Sequence, residues 1–222
     1  MAVVAHPDDL EYGFASAVAR WTAQGKEVSY VLATSGEAGI DGLDPATCGP
    51  LREQEERDGA ALVGVSHVEF LGFADGMIEE GIELRRAIAG AIRRLRPEIL
   101  LTISFDLTWG PGGPVNHADH RIVGLALVDA ARDAANRWLH PDLGEPWQGV
   151  RATYVGGVGD PTHYVDVTDT LELGIASLRA HGAYLDGLGG DFDPDAFLRG
   201  NAEAGGQEAG CRYAARFRAI PA

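Results

Sequence analysis

The chain is poor in cysteine, methionine and lysine: its 222 residues hold two cysteines, two methionines and, among 18 basic residues, a single lysine, Lys26. Two cysteines, Cys48 and Cys211, are too few for a disulfide framework, so a packed core must carry the fold and a reducing, cytoplasmic setting is the default expectation. No apolar run approaches the roughly 18 residues that a membrane span requires. Met1 to Ala5 is too short to be a signal peptide ahead of the first strand-like segment. Positive charge is scarce as well. Eighteen basic against 33 acidic residues leave a net charge of −15, which argues against nucleic acid as a partner and against docking on an anionic membrane. Repeats, low-complexity tracts and linkers are absent, so residues 1–222 are expected to form one domain. A homo-oligomer is left open.

What is present is a globular composition, 45% hydrophobic and 23% charged, with a strand–loop–helix rhythm. Ala2–Ala5, Val28–Ala33, Val68–Leu71 and Ile99–Ile103 are short, nearly all-apolar runs, as expected of strands covered on both faces. Between them, Phe14–Ala23, Leu51–Leu62 (with Ala60, Ala61 and Leu62 near the core) and Ile82–Leu95 (with Ile82, Ile88 and Ile92 inward) have helical spacing. Ser35–Pro50 reads as a polar, glycine-rich loop. Further on, Ile122–Ala135 and Thr170–Leu185 read as helices, Thr153–Val158 and Tyr164–Val167 as strands, and Gly187–Gly210 as a surface excursion. This alternation predicts an α/β fold, a Rossmann-like three-layer sandwich around a mainly parallel sheet. Ligands of such sheets bind beyond the carboxyl ends of the strands, so chemistry is sought in the loops there.

The first of these loops reads Ala5-His6-Pro7-Asp8-Asp9-Leu10-Glu11. An imidazole and two carboxylates follow a buried strand directly. His6 and Asp9 are both zinc-ligand types, and a helix starting between them would bring both onto one ion, leaving Asp8 to act as a base. The plainer alternative is an acidic turn capping that helix. A second cluster, Asn116-His117-Ala118-Asp119-His120, opens a later helix after the loop Gly110–Pro114. One of its histidines can complete a three-ligand site while the other stands beside it. A nucleotide-binding module is disfavoured, because the first loop lacks G-x-G-x-x-G and carries acids that would repel a pyrophosphate. The intact set of ionisable groups argues against a binding protein without catalysis.

Together these segments resemble the PIG-L/LmbE family of zinc-dependent deacetylases. The likeness extends to Thr34-Ser35-Gly36-Glu37-Ala38-Gly39, to Arg52 and Glu55 with Ala60-x-x-x-Gly64-Val65, to Phe70-Leu71-Gly72-Phe73-x-Asp75-Gly76, and to Ala180-His181. It covers residues 1 to about 185. The resemblance implies that His6, Asp9 and His120 hold Zn2+ or another divalent metal. It also implies that Asp8 is the general base and that His117 is a second catalytic group, oriented and kept cationic by Asp119. Arg52 and Asp75, with Glu37 beside them, would hold the sugar. The implied reaction is removal of an N-acetyl or other N-acyl group from a small-molecule N-acyl amino-sugar substrate of N-acetylglucosamine type. The alternative is metal-dependent hydrolysis of a non-sugar amide such as an acylated antibiotic or a thiol conjugate. Two departures stand out. Val115 and Asn116 occupy a stretch where some members carry a tyrosine, and Gly182-Ala183-Tyr184 replaces the usual continuation after the late histidine.

Other residues attract weaker expectations. Asp41, Asp44 and Asp106 read as solvated loop acids. Trp109 suits either a sugar face or packing under its loop. His67 reads as structural, and His140 as a partner of a helix end. His163 is read as a histidine that could approach the pocket, and His181 as a helix histidine that the resemblance turns toward the site.

Overall fold

The computed structural model describes residues 1–110, 112–189 and 193–222. Pro111, in the expected Gly110–Pro114 loop, and residues 190–192, in the expected excursion, lie outside the described residues. Among the described residues, seven strands form one sheet: β1 Ala2–Val4, β2 Ser29–Leu32, β3 His67–Phe70, β4 Ile99–Ile103, β5 Ala152–Gly156, β6 His163–Asp166 and β7 Ala214–Pro221. Their order is β3-β2-β1-β4-β5-β7-β6, and β7 alone runs against its neighbours. The helices are α1 Asp9–Gly13, α2 Ala15–Ala23, α3 Pro45–Leu62, α4 Ile82–Leu95, α5 Ala118–Ala135, α6 Leu171–Arg179, α7 Gly182–Leu188 and α8 Pro194–Ala209. None of these helices is long and apolar enough to cross a membrane.

Successive strand residues point to opposite faces, and the core divides accordingly. Ala2, Val4, Leu32, Leu101 and Phe217 pack on one face with α1, α2, α6 and α8. Val3, Val31 and Leu100 pack on the other with α4 and α5. This is the expected three-layer sandwich. β1 has β2 on one side and β4 on the other, so the chain departs in opposite directions from that pair. The crevice beyond their carboxyl ends is the topological switch point at which such sheets bind ligands. Both histidine-bearing loops leave from there.

Several expectations change in detail. α3 begins at Pro45, so the polar loop ends at Asp44, whose Oδ1 caps the helix by accepting from the Thr47 N–H at 3.2 Å. Pro at the first helical position favours this early start, and Pro50 is absorbed inside the helix. Of the residues expected near the core, Ala60 is buried while Leu62 is 47% exposed. Ile82 heads α4 and is likewise exposed, and Leu84 takes the inward place beside Ile88 and Ile92. The expected helix over Thr170–Leu185 breaks at Ala180 and His181 into α6 and α7. The largest correction is α8, sixteen residues long, inside the expected surface excursion. Its glycines do not disorder it, and Gly205 lets it approach β7 closely. A Cβ on Gly205 would lie 2.3 Å from the Ala214 carbonyl oxygen. β7 itself had no counterpart among the expected strands.

Candidate active site

His6 and Asp9 leave β1 on a turn, and His120 lies in the first turns of α5. His6 Nδ1 is 3.1 Å from His120 Nε2. Asp9 Oδ1 lies 3.1 Å from His120 Nε2, and its Oδ2 lies 3.7 Å from His6 Nδ1. Surrounding groups decide which ring atoms face inward. Asn116 Nδ2 donates to the Ser104 and Asp106 carbonyls at 2.7 and 3.1 Å, so its Oδ1 must accept from His120 Nδ1, 2.9 Å away. That leaves His120 Nε2 as a lone pair. His6 Nε2 faces Asp75 Oδ1 at 3.1 Å and Asp119 Oδ2 at 3.3 Å, which holds a proton on Nε2 and frees Nδ1. Two imidazole lone pairs and a carboxylate therefore converge on one point. This donor set repels itself unless a positive charge lies between, and it fits a divalent cation with imidazole and carboxylate ligands and oriented outer partners. A proton answers the same demand. Burial opposes charge on His6, yet the hydrogen bonds it donates to Asp119, Asp75 and Asp9 push its pKa well above the usual value. Burial would raise Asp9 too, but His120 and His6 hold its carboxyl far below the ordinary range.

Asp8, its neighbour, is driven the other way. It has φ +97° and makes no side-chain cap bond, so the capping alternative does not describe it. Its Oδ1 pairs with Arg52 Nη2 at 3.1 Å. Burial raises its pKa to about 6, with the Arg52 charge opposing and the Asp9 charge adding to the rise. A carboxylate with that proton affinity can exchange a proton near neutral pH.

His117 precedes α5 at the mouth, with a ring nitrogen within 4.8 Å of the facing nitrogens of His6 and His120. The expected grip of Asp119 on its ring is not found. The Asp119 carboxylate instead accepts from His6 and from the Gly76 N–H at 2.8 Å. His117 Nδ1 accepts from the Asp119 backbone N–H at 3.2 Å, which places its own proton on Nε2. Burial, then the charges of His6 and His120, lower its pKa, the opposite direction to the one expected from an Asp119 grip.

The residues expected to hold a sugar are largely engaged by the protein. Asp75 Oδ2 accepts from the Ala38 N–H at 2.9 Å while Oδ1 faces His6. Arg52 donates to Gly36 O, Pro7 O and Asp8, although it still lines the cavity. Glu37 does not line it; its Oε1 accepts from the Asp75 N–H at 2.9 Å and braces that loop. The cavity itself measures about 970 Å³. His6, Asp8, Asp9, His117 and His120 stand on one wall, with Trp109, Tyr12 and Tyr184 beside them. Trp109 meets the edge of His120, with ring centroids 5.6 Å apart.

The remaining candidates have structural places. Asp44 caps α3, and Asp106 pairs with Arg218 at 2.9 Å. His140 lies beside Arg86, and His67 beside Glu69 at 3.6 Å. His163 packs against Tyr154 away from the cavity lining. His181 is sealed between Glu11 and Glu56 instead of facing the site. Sequence reasoning missed Asn116, Tyr184 and Glu56. The Glu56 signal was present as a carboxylate one helical turn from Arg52, but Glu55 drew attention instead. Glu55 Oε1 accepts from the Ala183 N–H at 2.6 Å, at the start of α7.

Known proteins resemble the chain in both sequence and fold. The chain is 28% identical over 230 residues to diacetylchitobiose deacetylase of Thermococcus kodakarensis, spanning all of this chain and 82% of that one. It is 29% identical over 174 residues to the 1D-myo-inositol 2-acetamido-2-deoxy-alpha-D-glucopyranoside deacetylase of Streptomyces scabiei, covering 66% of this chain and 52% of that protein. It superposes on N,N'-diacetylchitobiose deacetylase from Pyrococcus horikoshii, solved with its inhibitor MPG, at a TM-score of 0.87 and 25% identity, over 99% of this chain and 82% of the other. The family described as "PIG-L: GlcNAc-PI de-N-acetylase" matches residues 1–131. With well over half of its length inside that match, and with deacetylases as its relatives in sequence and in fold, the chain belongs to the PIG-L family and is a hydrolase of amide bonds.

Proposed function

We propose that residues 1–222 act as one zinc-dependent N-deacetylase domain that cleaves the acetamido group of an N-acetylglucosamine-type sugar, releasing acetate and a free amine. The observation that carries this reading is the convergence of His6 Nδ1, His120 Nε2 and the Asp9 carboxylate beside Asp8, on the wall of a cavity of sugar-binding size. The relatives named above act on N-acetylated glucosamine compounds, which supports the substrate class.

His6, Asp9 and His120 would hold the ion. Bound there, it would supply Lewis-acid polarisation and lower the pKa of water from about 15.7 toward about 7. Asp8 accepts a proton from the water that attacks the acetyl carbon. The neutral His117 directs its Nε2–H at the oxygen that gains charge, and a donor placed in this way is worth about a hundredfold or more in turnover. The carbon–nitrogen bond then breaks, and the proton held on Asp8 passes to the departing amine. Asp119, Asp75 and Asn116 take no part in the proton traffic; they keep the ligand rings turned inward.

The test is free-amine release from a panel of N-acetylglucosamine derivatives. Metal-stripped protein is assayed with and without zinc, and Asp8→Ala is assayed beside it. Zinc-restored release that falls by about 10²–10⁴ in Asp8→Ala, with metal content unchanged, supports the mechanism. A protein that binds one zinc per chain but releases no amine from any sugar would overturn the substrate class and favour a non-sugar amide.

A further inference from the structure

Two side chains of α3, one helical turn apart, close on a single peptide group. Arg52 Nη2 donates to the Pro7 carbonyl and lies 3.1 Å from Asp8 Oδ1. Glu56 Oε2 accepts the Asp8 N–H at 3.3 Å. The C=O and the N–H of the Pro7–Asp8 peptide are thus both held from one helix. The residue that follows this peptide, Asp8, has φ +97°, a conformation that side-chain-bearing residues rarely adopt. Such a conformation persists only where its surroundings over-determine it, and it sets the direction in which the Asp8 carboxylate leaves the chain.

Glu56 is an unusual acceptor for one backbone N–H. It is fully buried, beneath the first loop and behind the cavity wall, to which its cluster contributes only Glu11. His181 Nε2 lies 3.9 Å from Glu56 Oε2 and 3.5 Å from Glu11 Oε2. Ser177 Oγ donates to Glu11 Oε1 at 2.7 Å, tying the cluster to α6. Burying a carboxyl group is unfavourable, so its presence at this peptide calls for a role beyond packing.

We infer that Glu56 is a positioning residue for catalysis: by accepting the Asp8 N–H opposite Arg52, it holds Asp8 in the left-handed conformation that aims its carboxylate at the attacking water. The inference rests on Asp8 being the base. It gives the buried cluster a purpose, as the support of the strained turn. The competing use is a second ion, since Glu11, Glu56 and His181 also offer ligand atoms within 4.8 Å of one another, and Glu11 Oε2, Glu56 Oε1 and both His181 ring nitrogens have no hydrogen-bond partner.

The experiment is a double-mutant cycle on zinc-loaded enzyme with an N-acetylglucosamine derivative that the wild type turns over. Wild type, Glu56→Ala, Asp8→Ala and the double variant are compared, with zinc counted per chain. Glu56→Ala is expected to lower kcat ten- to a hundredfold, leaving KM and zinc content unchanged. Glu56→Gln, whose amide oxygen still accepts the N–H, recovers most of that loss. In the Asp8→Ala background, Glu56→Ala has no further effect, because residues acting through one another are not additive. If Glu56→Ala does not fold, Glu56→Leu replaces it, filling the volume without an acceptor. Unchanged kcat in the folded variant overturns the inference. So does an equal loss in the Asp8→Ala background, or a wild type that carries two zinc ions of which Glu56→Ala loses one. Full activity in Asp8→Ala would instead sink the reading of Asp8 as base, and the two failures are told apart within the same set of proteins.

Discussion

The molecule buries two clusters of the same ingredients. One joins His6 and His120 with Asp9, Asp75 and Asp119; the other joins His181 with Glu11 and Glu56. They differ in access and in completeness. In the first, every ring nitrogen that faces away from the cavity has a fixed partner, so the inward nitrogens are lone pairs that open onto space for a substrate. In the second, His181 and Glu56 lie behind the cavity wall, Glu11 alone reaches the lining, and four atoms lack a hydrogen-bond partner. Imidazole and carboxylate side by side do not make a catalytic site; oriented outer partners and an open side do. The clusters meet at Asp8, which neighbours Asp9 of the first and whose N–H rests on Glu56 of the second.

The comparison breaks most visibly if one histidine of each cluster is removed. His120→Ala is expected to abolish tight zinc binding while the metal-free protein melts near the wild-type temperature. His181→Ala should keep one zinc per chain but lose about 2–5 kcal/mol of stability, through the cavity it leaves and the loss of its ion pair with Glu11. Zinc titration and denaturant unfolding on both proteins check this, and loss of zinc from His181→Ala would erase the distinction.

A smaller effect tests the outer partners. Asn116→Leu leaves the three residues proposed to hold the ion in place but frees His120 to take either tautomer. Zinc affinity measured against a competing chelator should weaken about 10–100-fold. Nitrogen-15 NMR of the metal-free protein should show the His120 proton no longer confined to Nδ1. An unchanged affinity would mean that packing alone orients the ring.

The smallest effect concerns the buried cluster. Burial, then the Glu11 charge, push the Glu56 pKa well above its ordinary 4.5. The folded chain therefore keeps a proton that the unfolded chain releases, so stability falls as pH rises above about 4.5 toward the folded pKa. Glu56→Gln cannot titrate and lacks this slope. Its melting temperature relative to wild type should rise as the pH climbs above about 4.5 toward the raised pKa of Glu56. A constant difference across that range would show that Glu56 is ionised in the fold.

The first half of the chain was legible because its signals are local. β1, β2, β3 and β4 are short apolar runs flanked by turns, and the two histidine motifs follow strands directly, so their placement at one sheet edge came with the fold class. The second half was not, because its order rests on distant contacts. α8 looked like loop since its glycines are weak helix formers, yet Gly205 is what allows it against β7. Within the site, residue types were readable and pairings were not. Asp119 was expected on His117 and lies on His6; Asp75 and Arg52 were expected on substrate and hold the protein's own loops.

By itself, then, the sequence determined the alternating α/β architecture and set His6, Asp8, Asp9 and the His117–His120 pair, residue types suited to holding a metal, at one edge of the sheet, while the choice of His6, Asp9 and His120 as the proposed ion-holding set came from the family resemblance. The architecture and the placement follow from periodicity and from motifs that directly follow strands. Only the tertiary structure decided which atom of each group faces inward and how the two adjacent carboxyls part. Asp9 is held anionic by His6 and His120, while Asp8 is raised to about 6 by burial. Proton affinity and tautomer depend on what lies within a few ångströms in space, and those neighbours come from α3, the Asp75 loop and α5, dozens of residues away along the chain.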